Sequence, residues 1–145
     1  MDSIEKRRSI RKYKPDKIEK SVIEEIVKAG ILAPSAKNRQ PWKYIVYTGA
    51  SKEHLLDAME RGLVREKSGK ALLPESAFGL PDAFHTLQIM REAPVTIIIL
   101  NENGRTPYEN IGTENQLVGA VALGVPDEEP ASRPRKQLED VLEYR

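Results

Sequence analysis

The fold is decided by V-T-I-I-I-L at residues 95–100, a run that lies between Pro94 and Asn101. Its residues are aliphatic or β-branched, and polar residues do not alternate with them. This pattern is typical of a strand that is buried on both faces of a sheet. We therefore expect residues 95–100 at the centre of a small sheet that helices cover.

Two further stretches have the composition of strands. K-Y-I-V-Y-T at residues 43–48 is rich in β-branched and aromatic residues, and L-V-G-A-V-A-L at residues 117–123 is apolar throughout. Gly119 inside the second stretch indicates that another backbone or a ligand comes close to it.

The helix before the first strand is indicated by apolar residues at every third or fourth position. Ser21 and Glu24 have the spacing of a capping box, which predicts that this helix covers residues 22–32. Pro34 follows two residues later and ends the pattern.

The same spacing of apolar residues predicts two more helices, one before and one after residue 70. Ser51 is expected to cap the first of them, and Pro94 ends the second. Their predicted core positions are Leu55, Leu56, Met59 and Leu63 in the first helix and Leu80, Phe84, Leu87 and Met90 in the second. A chain of 145 residues with this organisation fits a single domain over residues 1–145.

The composition excludes several classes of function. The chain has 23 Lys and Arg against 22 Asp and Glu, so the molecule as a whole does not attract nucleic acid or a membrane surface. It has no Cys, which excludes disulfides, thiolate metal sites and a Cys nucleophile and predicts a cytoplasmic location. Its longest apolar run is far shorter than the roughly 20 residues that a spanning helix needs.

The common catalytic motifs are absent from the sequence as well. It has neither a Walker loop nor G-x-G-x-x-G, and His54 and His85 are its only histidines, so no metal site is predicted. The acidic residues 127–129 have the pattern of a solvated turn. A difficult reaction in this protein would therefore require a cofactor.

Two basic clusters are the main chemical feature of the sequence. Arg7, Arg8, Ser9 and Arg11 place three guanidinium groups and one hydroxyl within five residues. R-P-R-K at residues 133–136 forms a second cluster. Guanidinium groups bind phosphate oxygens in pairs, so two converging clusters would neutralise a phosphate dianion. Charge alone would favour the alternative, a solvated basic surface.

A third feature is the loop P-S-A-K-N-R-Q-P-W at residues 34–42, between the first helix and the first strand. It brings a hydroxyl, two side-chain amides and an indole together between two prolines. Amide side chains offer a donor and an acceptor at once, as recognition of the edge of a heterocycle requires. A simple turn anchored by Trp42 is the alternative.

Three motifs together resemble the FMN-dependent nitroreductase family. They are R-R-S-I-R-K-Y at residues 7–13, A-P-S-A-K-N-R-Q-P-W-K-Y at residues 33–44, and A-L-G-V-P-D-E-E-P-A-S-R-P-R-K at residues 122–136. The resemblance implies an α+β fold of three layers, in which helices flank a central, mostly antiparallel sheet. It also implies an obligate homodimer with FMN at the subunit interface.

The resemblance assigns two groups of residues to FMN. Those expected at the phosphate and ribityl chain are Arg7, Ser9 and Arg11, with Arg8 in the same cluster, and Arg133 and Arg135 from the C-terminal segment. Those expected to contact the flavin held mainly by the other subunit are Pro34, Ser35, Ala36, Asn38 and Gln40.

The activity implied by the resemblance is a ping-pong reduction. NAD(P)H would be the electron donor, and a nitroaromatic, a quinone or a similar small molecule would be the acceptor. The chemistry belongs to flavin N5, so no side chain is expected to be catalytic.

The sequence departs from the family between Asn115 and Gln116, where the segment that would line the flavin ring in a family member does not appear. Two explanations stay open: the sequence as given omits a segment that the molecule contains, or the protein is an internal-deletion form. The second explanation leaves an alternative function, a non-catalytic dimer module that binds flavin or phosphate. A third interpretation takes the basic N-terminus as a nucleic-acid contact, and the net charge of +1 argues against it.

Overall fold

The computed structural model describes residues 6–69, 79–102 and 116–143. Three helices and three strands lie within these ranges. They are α1 (Lys20–Ile31), β1 (Trp42–Thr48), α2 (Gly49–Lys67), α3 (Leu80–Glu92), β2 (Val95–Asn101) and β3 (Gln116–Leu123), with short 3-10 turns at Ala36–Asn38 and Leu138–Asp140. Each predicted helix and strand is present, with its ends within a few residues of the expected positions.

The three strands form one antiparallel sheet in the order β1-β2-β3. Five of the six residues at positions 95–100 are buried, so the prediction of a central, doubly covered strand is confirmed. Trp42 pairs with Asn101 at one end of the sheet, and Val95 pairs with Leu123 at the other. The segment before β1 and the segment after β3 therefore leave the sheet at opposite ends.

Helices cover both faces of the sheet and produce three layers. On one face, Ile23 of α1 packs with Val95 and Ile97 of β2. On the other face, Leu56 of α2 packs with α3 and with the neighbouring part of β3. The expected α+β arrangement, with an antiparallel sheet between helices, is confirmed, and the homodimer stays a prediction.

The predicted capping box at the start of α1 is wrong. The helix begins at Lys20 after the extended residue Glu19, and no side chain caps it. Ser21 therefore lies within the first turn, where its backbone is already helical. Ile18 and Ile23 instead pack in the same core cluster, one on either side of the helix start. Residues at these two positions form a hydrophobic staple, which fixes where the chain enters the helix.

Ser51 was predicted to cap α2, but it is the third residue of that helix. The residue before α2 is Thr48, whose backbone is extended. The Thr48 N–H donates to Ser51 Oγ over 3.4 Å, and the Ser51 hydroxyl donates to the Thr48 carbonyl over 2.8 Å. Ser51 thus stabilises the first turn from its third position rather than as the cap.

Polar contacts fasten α2 to the end of α3. Lys52 is only 5% exposed, and its ammonium donates to the carbonyl oxygens of Arg91 at 2.9 Å and Ala93 at 2.7 Å. A lysine at the C-terminal end of a helix complements the helix dipole and satisfies carbonyl groups that lack an intrahelical donor. Arg91 in turn forms ion pairs with acidic residues of α2, which are Glu53, Asp57 and Glu60.

Within the described part of this chain no backbone beyond the paired strand β2 comes close to Gly119, and the predicted approach of a ligand stays a prediction. A Cβ placed on Gly119 would have nothing within 4 Å in the described part of the chain. The strand pairing instead shifts register between Ile99 and Leu100, directly opposite Gly119. Gly119 thus lies beside a β-bulge, and its φ angle is not one that requires glycine.

Candidate functional site

The two ends of the chain pair with each other beside the sheet. Tyr13 and Pro126 form an antiparallel bridge. The Lys14 N–H donates to the Val125 carbonyl over 2.9 Å, and the Asp127 N–H donates to the Lys12 carbonyl over 3.0 Å. Because β3 leads directly into residues 125–127, the sheet fixes the position of the C-terminal partner in this pairing.

Glu128 extends this pairing by one more step. Its Oε1 atom accepts hydrogen bonds from the backbone N–H groups of Arg11 and, at 3.0 Å, of Lys12. The Arg11 N–H bond and then the Lys12 N–H bond hold the pKa of Glu128 below its ordinary value of 4.5, although partial desolvation opposes them. A lowered carboxyl pKa means that this contact stabilises the folded chain above pH 4.5 and is lost as the pH falls through the lowered pKa.

Tyr13 and Gly124 shape the contact between the paired ends and the sheet. The Tyr13 hydroxyl donates to the Ile10 carbonyl at 3.1 Å, and it lies 3.5 Å from the Ala122 carbonyl. Burial, and secondarily the charge of Glu128, raises the pKa of Tyr13, so the phenol remains a donor at neutral pH. A Cβ on Gly124 would lie 2.8 Å from the Tyr13 ring and 2.6 Å from Pro94, which leaves no room for a side chain.

Beyond Glu128 the two segments enclose a pocket of about 650 Å³. The residues that line the pocket are Arg7, Arg8, Ser9, Arg11, Pro130, Ala131, Ser132, Arg133 and Arg135. The structure thus brings together every predicted phosphate ligand from both ends of the chain. We call this site the arginine pocket.

The arginine pocket has the chemistry of an anion site. Five guanidinium groups and two hydroxyls line it, and none of the described lining residues is acidic. Arg8 donates to the Arg7 carbonyl at 2.9 Å, and the Arg11 guanidinium lies 3.5 Å from the Ser9 carbonyl. Guanidinium groups keep their charge at any physiological pH, so the pocket favours a multiply charged anion such as a phosphate monoester.

The loop at residues 34–42 has an unusual backbone. Lys37, Asn38 and Gln40 have φ angles of 55°, 52° and 46°, in the left-handed region that favours glycine. Such a residue costs about 1 kcal/mol or more, and functional sites are where this strain is most often found. The Gln40 N–H donates to Ser35 Oγ at 2.9 Å, and the Gln40 side-chain amide donates to Asn38 Oδ1 at 3.0 Å.

These bonds hold the two amide side chains together on an exposed surface. The free donor of Asn38 and the acceptor of Gln40 can then be presented side by side. The loop leads into β1, where Trp42 is half-buried and the Pro41 carbonyl accepts a hydrogen bond from the Glu102 N–H at 2.8 Å.

The structure does not bring this loop into the arginine pocket. None of the five predicted loop residues lines that pocket, namely Pro34, Ser35, Ala36, Asn38 and Gln40. The loop joins the sheet where Trp42 pairs with Asn101, and the C-terminal segment leaves it at the opposite end. A single chain therefore presents two separate parts of the predicted flavin site.

Sequence reasoning missed the residues that assemble the pocket. It assigned residues 127–129 to a solvated turn, which is wrong for Glu128, because that carboxylate accepts two backbone N–H groups from the N-terminal segment. Tyr13, Gly124 and Ser132 were also missed as parts of the site. The bonds join residues more than 100 positions apart, so no local pattern signals them.

The described residues hold neither a membrane-spanning helix nor a metal-binding cluster of side chains. No helix among them is long and apolar enough to cross a membrane. No group of three or more His, Asp or Glu side chains in the same ranges is placed to hold a metal ion.

Comparisons with known proteins agree on the family. Residues 4–124 match the family model described as "Nitroreductase family". The chain is 34% identical over 94 residues to an "NADH dehydrogenase" of Thermus thermophilus, which covers 65% of the chain and 34% of that protein. It is 28% identical over 109 residues to a "5,6-dimethylbenzimidazole synthase" of Rhodospirillum rubrum, which covers 73% of the chain and 49% of that protein.

A solved structure shares the fold. The chain aligns with the FMN-dependent nitroreductase NfnB of Mycobacterium smegmatis, whose crystal structure is a complex with NADPH. The TM-score is 0.71 at 14% identity, and the alignment covers 98% of this chain and 96% of that one. The chain spans about a third to three fifths of the length of the curated relatives it matches.

The close packing at Gly124 leads to a stability prediction. Gly124→Ala should lower the free energy of unfolding by about 1–3 kcal/mol, because the added methyl group overlaps Pro94 and Tyr13. Gly119→Ala is the matched control, since its Cβ has open space, and it should change stability by no more than about 0.5 kcal/mol. Urea denaturation measures both. Equal effects of the two substitutions would show that Gly124 is not needed for the approach of the chain ends.

Proposed function

Because this chain belongs to the nitroreductase family, we propose that it is an FMN-dependent oxidoreductase that takes electrons from NAD(P)H. Its acceptors in this proposal are nitroaromatics, quinones or similar small molecules. The observation that supports the proposal most directly is the arginine pocket, where clusters from both ends of the chain meet.

The described residues of the pocket fit the phosphate end of FMN. A phosphate monoester carries up to two negative charges and three terminal oxygens, and the pocket offers guanidinium and hydroxyl donors without an acidic competitor. Arg7, Ser9 and Arg11 would hold the phosphate and ribityl chain, with Arg8 beside them. Arg133 and Arg135 would close on the phosphate from the C-terminal segment.

The loop at residues 34–42 would bind the flavin ring of a second copy of the chain. Its amide side chains are exposed, paired with each other and held on a strained backbone, which favours a preformed recognition surface. Within a single chain the loop lies apart from the arginine pocket, so in this proposal a complete site requires two chains. The proposed assembly is a homodimer in which each site takes the phosphate ligands from one subunit and Pro34, Ser35, Ala36, Asn38 and Gln40 from the other.

When bound, FMN supplies the hydride chemistry of the reaction. The chain's own residues would bind the FMN and orient its ring. The arginines hold the phosphate and contribute positive potential that favours an anionic flavin, and the loop amides set the position of the ring edge. No side chain is assigned a nucleophilic or acid–base role, which agrees with the scarcity of histidine and the absence of cysteine.

A second candidate function is flavin or phosphate binding without turnover. It is favoured by the departure of the sequence from the family pattern between Asn115 and Gln116. Both functions use the same arginine pocket, so they differ in the redox step rather than in binding.

The two functions are separated by adding FMN to the purified protein, removing free flavin, and recording the visible spectrum before and after anaerobic NADH or NADPH. The reductase proposal expects retained yellow absorbance that the nucleotide bleaches and a nitroaromatic or quinone restores. Retained absorbance that neither nucleotide bleaches would support the binding module. Failure to retain FMN would contradict the reductase and the flavin-binding module alike, and would leave only binding of phosphate.

Substitutions in the arginine pocket test the phosphate assignment. Arg7→Ala and Arg135→Ala should each weaken FMN binding by about 1.5–3 kcal/mol, because each removes a charge-assisted hydrogen bond. Arg61→Ala, which removes an exposed arginine of α2, is the charge-matched control and should leave the affinity unchanged. Riboflavin, which lacks the phosphate, should bind all four proteins alike. Fluorescence titration gives the affinities, and unchanged FMN affinity in both pocket variants would refute the assignment.

Mixed dimers test whether the site is shared between subunits. We expect subunits with Arg7→Ala and subunits with Asn38→Ala, purified together through different tags, to form one doubly substituted site and one intact site per dimer. Half of the sites should then bind FMN with wild-type affinity, although neither parent dimer has such a site. If no site of wild-type affinity appears, each pocket is built from one chain, and the shared-site proposal is wrong.

A further inference from the structure

We propose that Glu128 is a positioning residue that joins the two arginine-bearing segments into one phosphate-binding pocket. The inference rests on the proposed function, because it assigns Glu128 a part in phosphate binding without contact to the ligand. Glu128 lies between the backbone pairing at residues 125–127 and the first lining residue of the C-terminal segment, Pro130.

The geometry shows how a single carboxylate can have this effect. One oxygen, Oε1, accepts the N–H groups of both Arg11 and Lys12. Both bonds lie between the backbone pairing at residues 12–14 and 125–127 and the lining residues of the pocket. Residues 131–137 are all exposed, so the part of the chain that carries Arg133 and Arg135 has no buried side chain of its own to anchor it.

Electrostatics alone would predict the opposite role for Glu128. A carboxylate beside Arg11, one of the five arginines of the pocket, lowers the positive potential that attracts a phosphate, so its removal should tighten phosphate binding. A positioning role predicts that its removal weakens binding, because Arg133 and Arg135 are then no longer held opposite Arg7. The sign of the change therefore distinguishes the two effects.

The contact also depends on pH in a defined direction. The charged groups that face Glu128 are Arg11 and Lys12 on the N-terminal segment, and the ionisable phenol of Tyr13 lies next to them. The two N–H bonds favour the ionised carboxylate, so its pKa is lower in the joined state than the ordinary value of 4.5. The Glu128 contact is accordingly present above pH 4.5 and is lost as the pH falls through the lowered pKa, whereas the backbone pairing at residues 125–127 does not depend on this carboxylate.

The test compares FMN affinities of Glu128→Ala and Glu128→Gln with those of Glu129→Ala and Glu129→Gln. Each pair removes one negative charge at neighbouring positions, and Glu129 is exposed and outside the pocket lining. Glu128→Ala should raise the Kd for FMN about tenfold, Glu128→Gln less, and the Glu129 variants should bind as the wild type or tighter. Affinity for riboflavin should stay constant throughout, whereas general destabilisation would weaken both ligands. FMN affinity in Glu128→Ala that equals or exceeds that of Glu129→Ala would overturn the proposal.

Amide hydrogen exchange in the wild-type protein provides a second measurement that needs neither FMN nor a folded variant. The Arg11 and Lys12 amides should be protected at pH 7 and lose protection together with the protonation of Glu128, followed through its carboxyl carbon shift. Protection that persists after Glu128 is protonated would overturn the inference. If wild-type protein binds no FMN but shows this loss of protection, the proposed function fails, and the joining of the segments by Glu128 stands.

Discussion

The pairing of residues 12–14 with residues 125–127 is the constraint on which the candidate site depends. It joins segments that are more than 100 residues apart, and the entropic cost of closing so long a loop must be offset by contacts already made. The sheet supplies those contacts. Because β3 is fixed against the central strand β2, the chain emerges at Gly124 in the one place where Tyr13 can pack against it.

The arginine pocket is a consequence of this pairing, and it lowers the stability of the protein when no anion is bound. Guanidinium groups cannot release their protons, so five of them around one cavity repel one another when no anion is present. An arrangement that is unfavourable for stability alone, and that two distant segments build together, is typical of a binding site. The strained loop at residues 34–42 shows the same compromise, since three non-glycine residues hold left-handed backbone conformations.

The sequence allowed the core to be predicted because its signals are local. The unbroken aliphatic run at residues 95–100 is informative by itself, and each helix carries its own periodicity. The start of α1 was misplaced because Ser21 and Glu24 satisfy a local rule, whereas the packing of Ile18 with Ile23 depends on the sheet beneath them. Local rules therefore identified the helices and strands, and tertiary contacts decided where one of them began.

The candidate site was also predictable only where its signals are local in the sequence. Residue type and spacing identified the arginines and the loop amides, because phosphate and heterocycle recognition require particular functional groups close together in sequence. Glu128 escaped notice because its partners are backbone N–H groups, which every residue except proline possesses. No sequence pattern can indicate which of them a distant carboxylate will accept, so the joining of the two clusters became visible only in three dimensions.

Ligand binding and the cohesion of the chain ends are thermodynamically linked in this arrangement. Residues 131–137 are exposed, so little apolar burial holds the segment that carries Arg133 and Arg135. An anion held by arginines from both segments binds the joined state and not the separated one, and it therefore stabilises the joined state by mass action. By the same reciprocity, any contact that favours the joined state raises the affinity for the anion. Glu128 and the bound phosphate thus act on one equilibrium, the first through backbone N–H groups and the second through the guanidinium groups beside them.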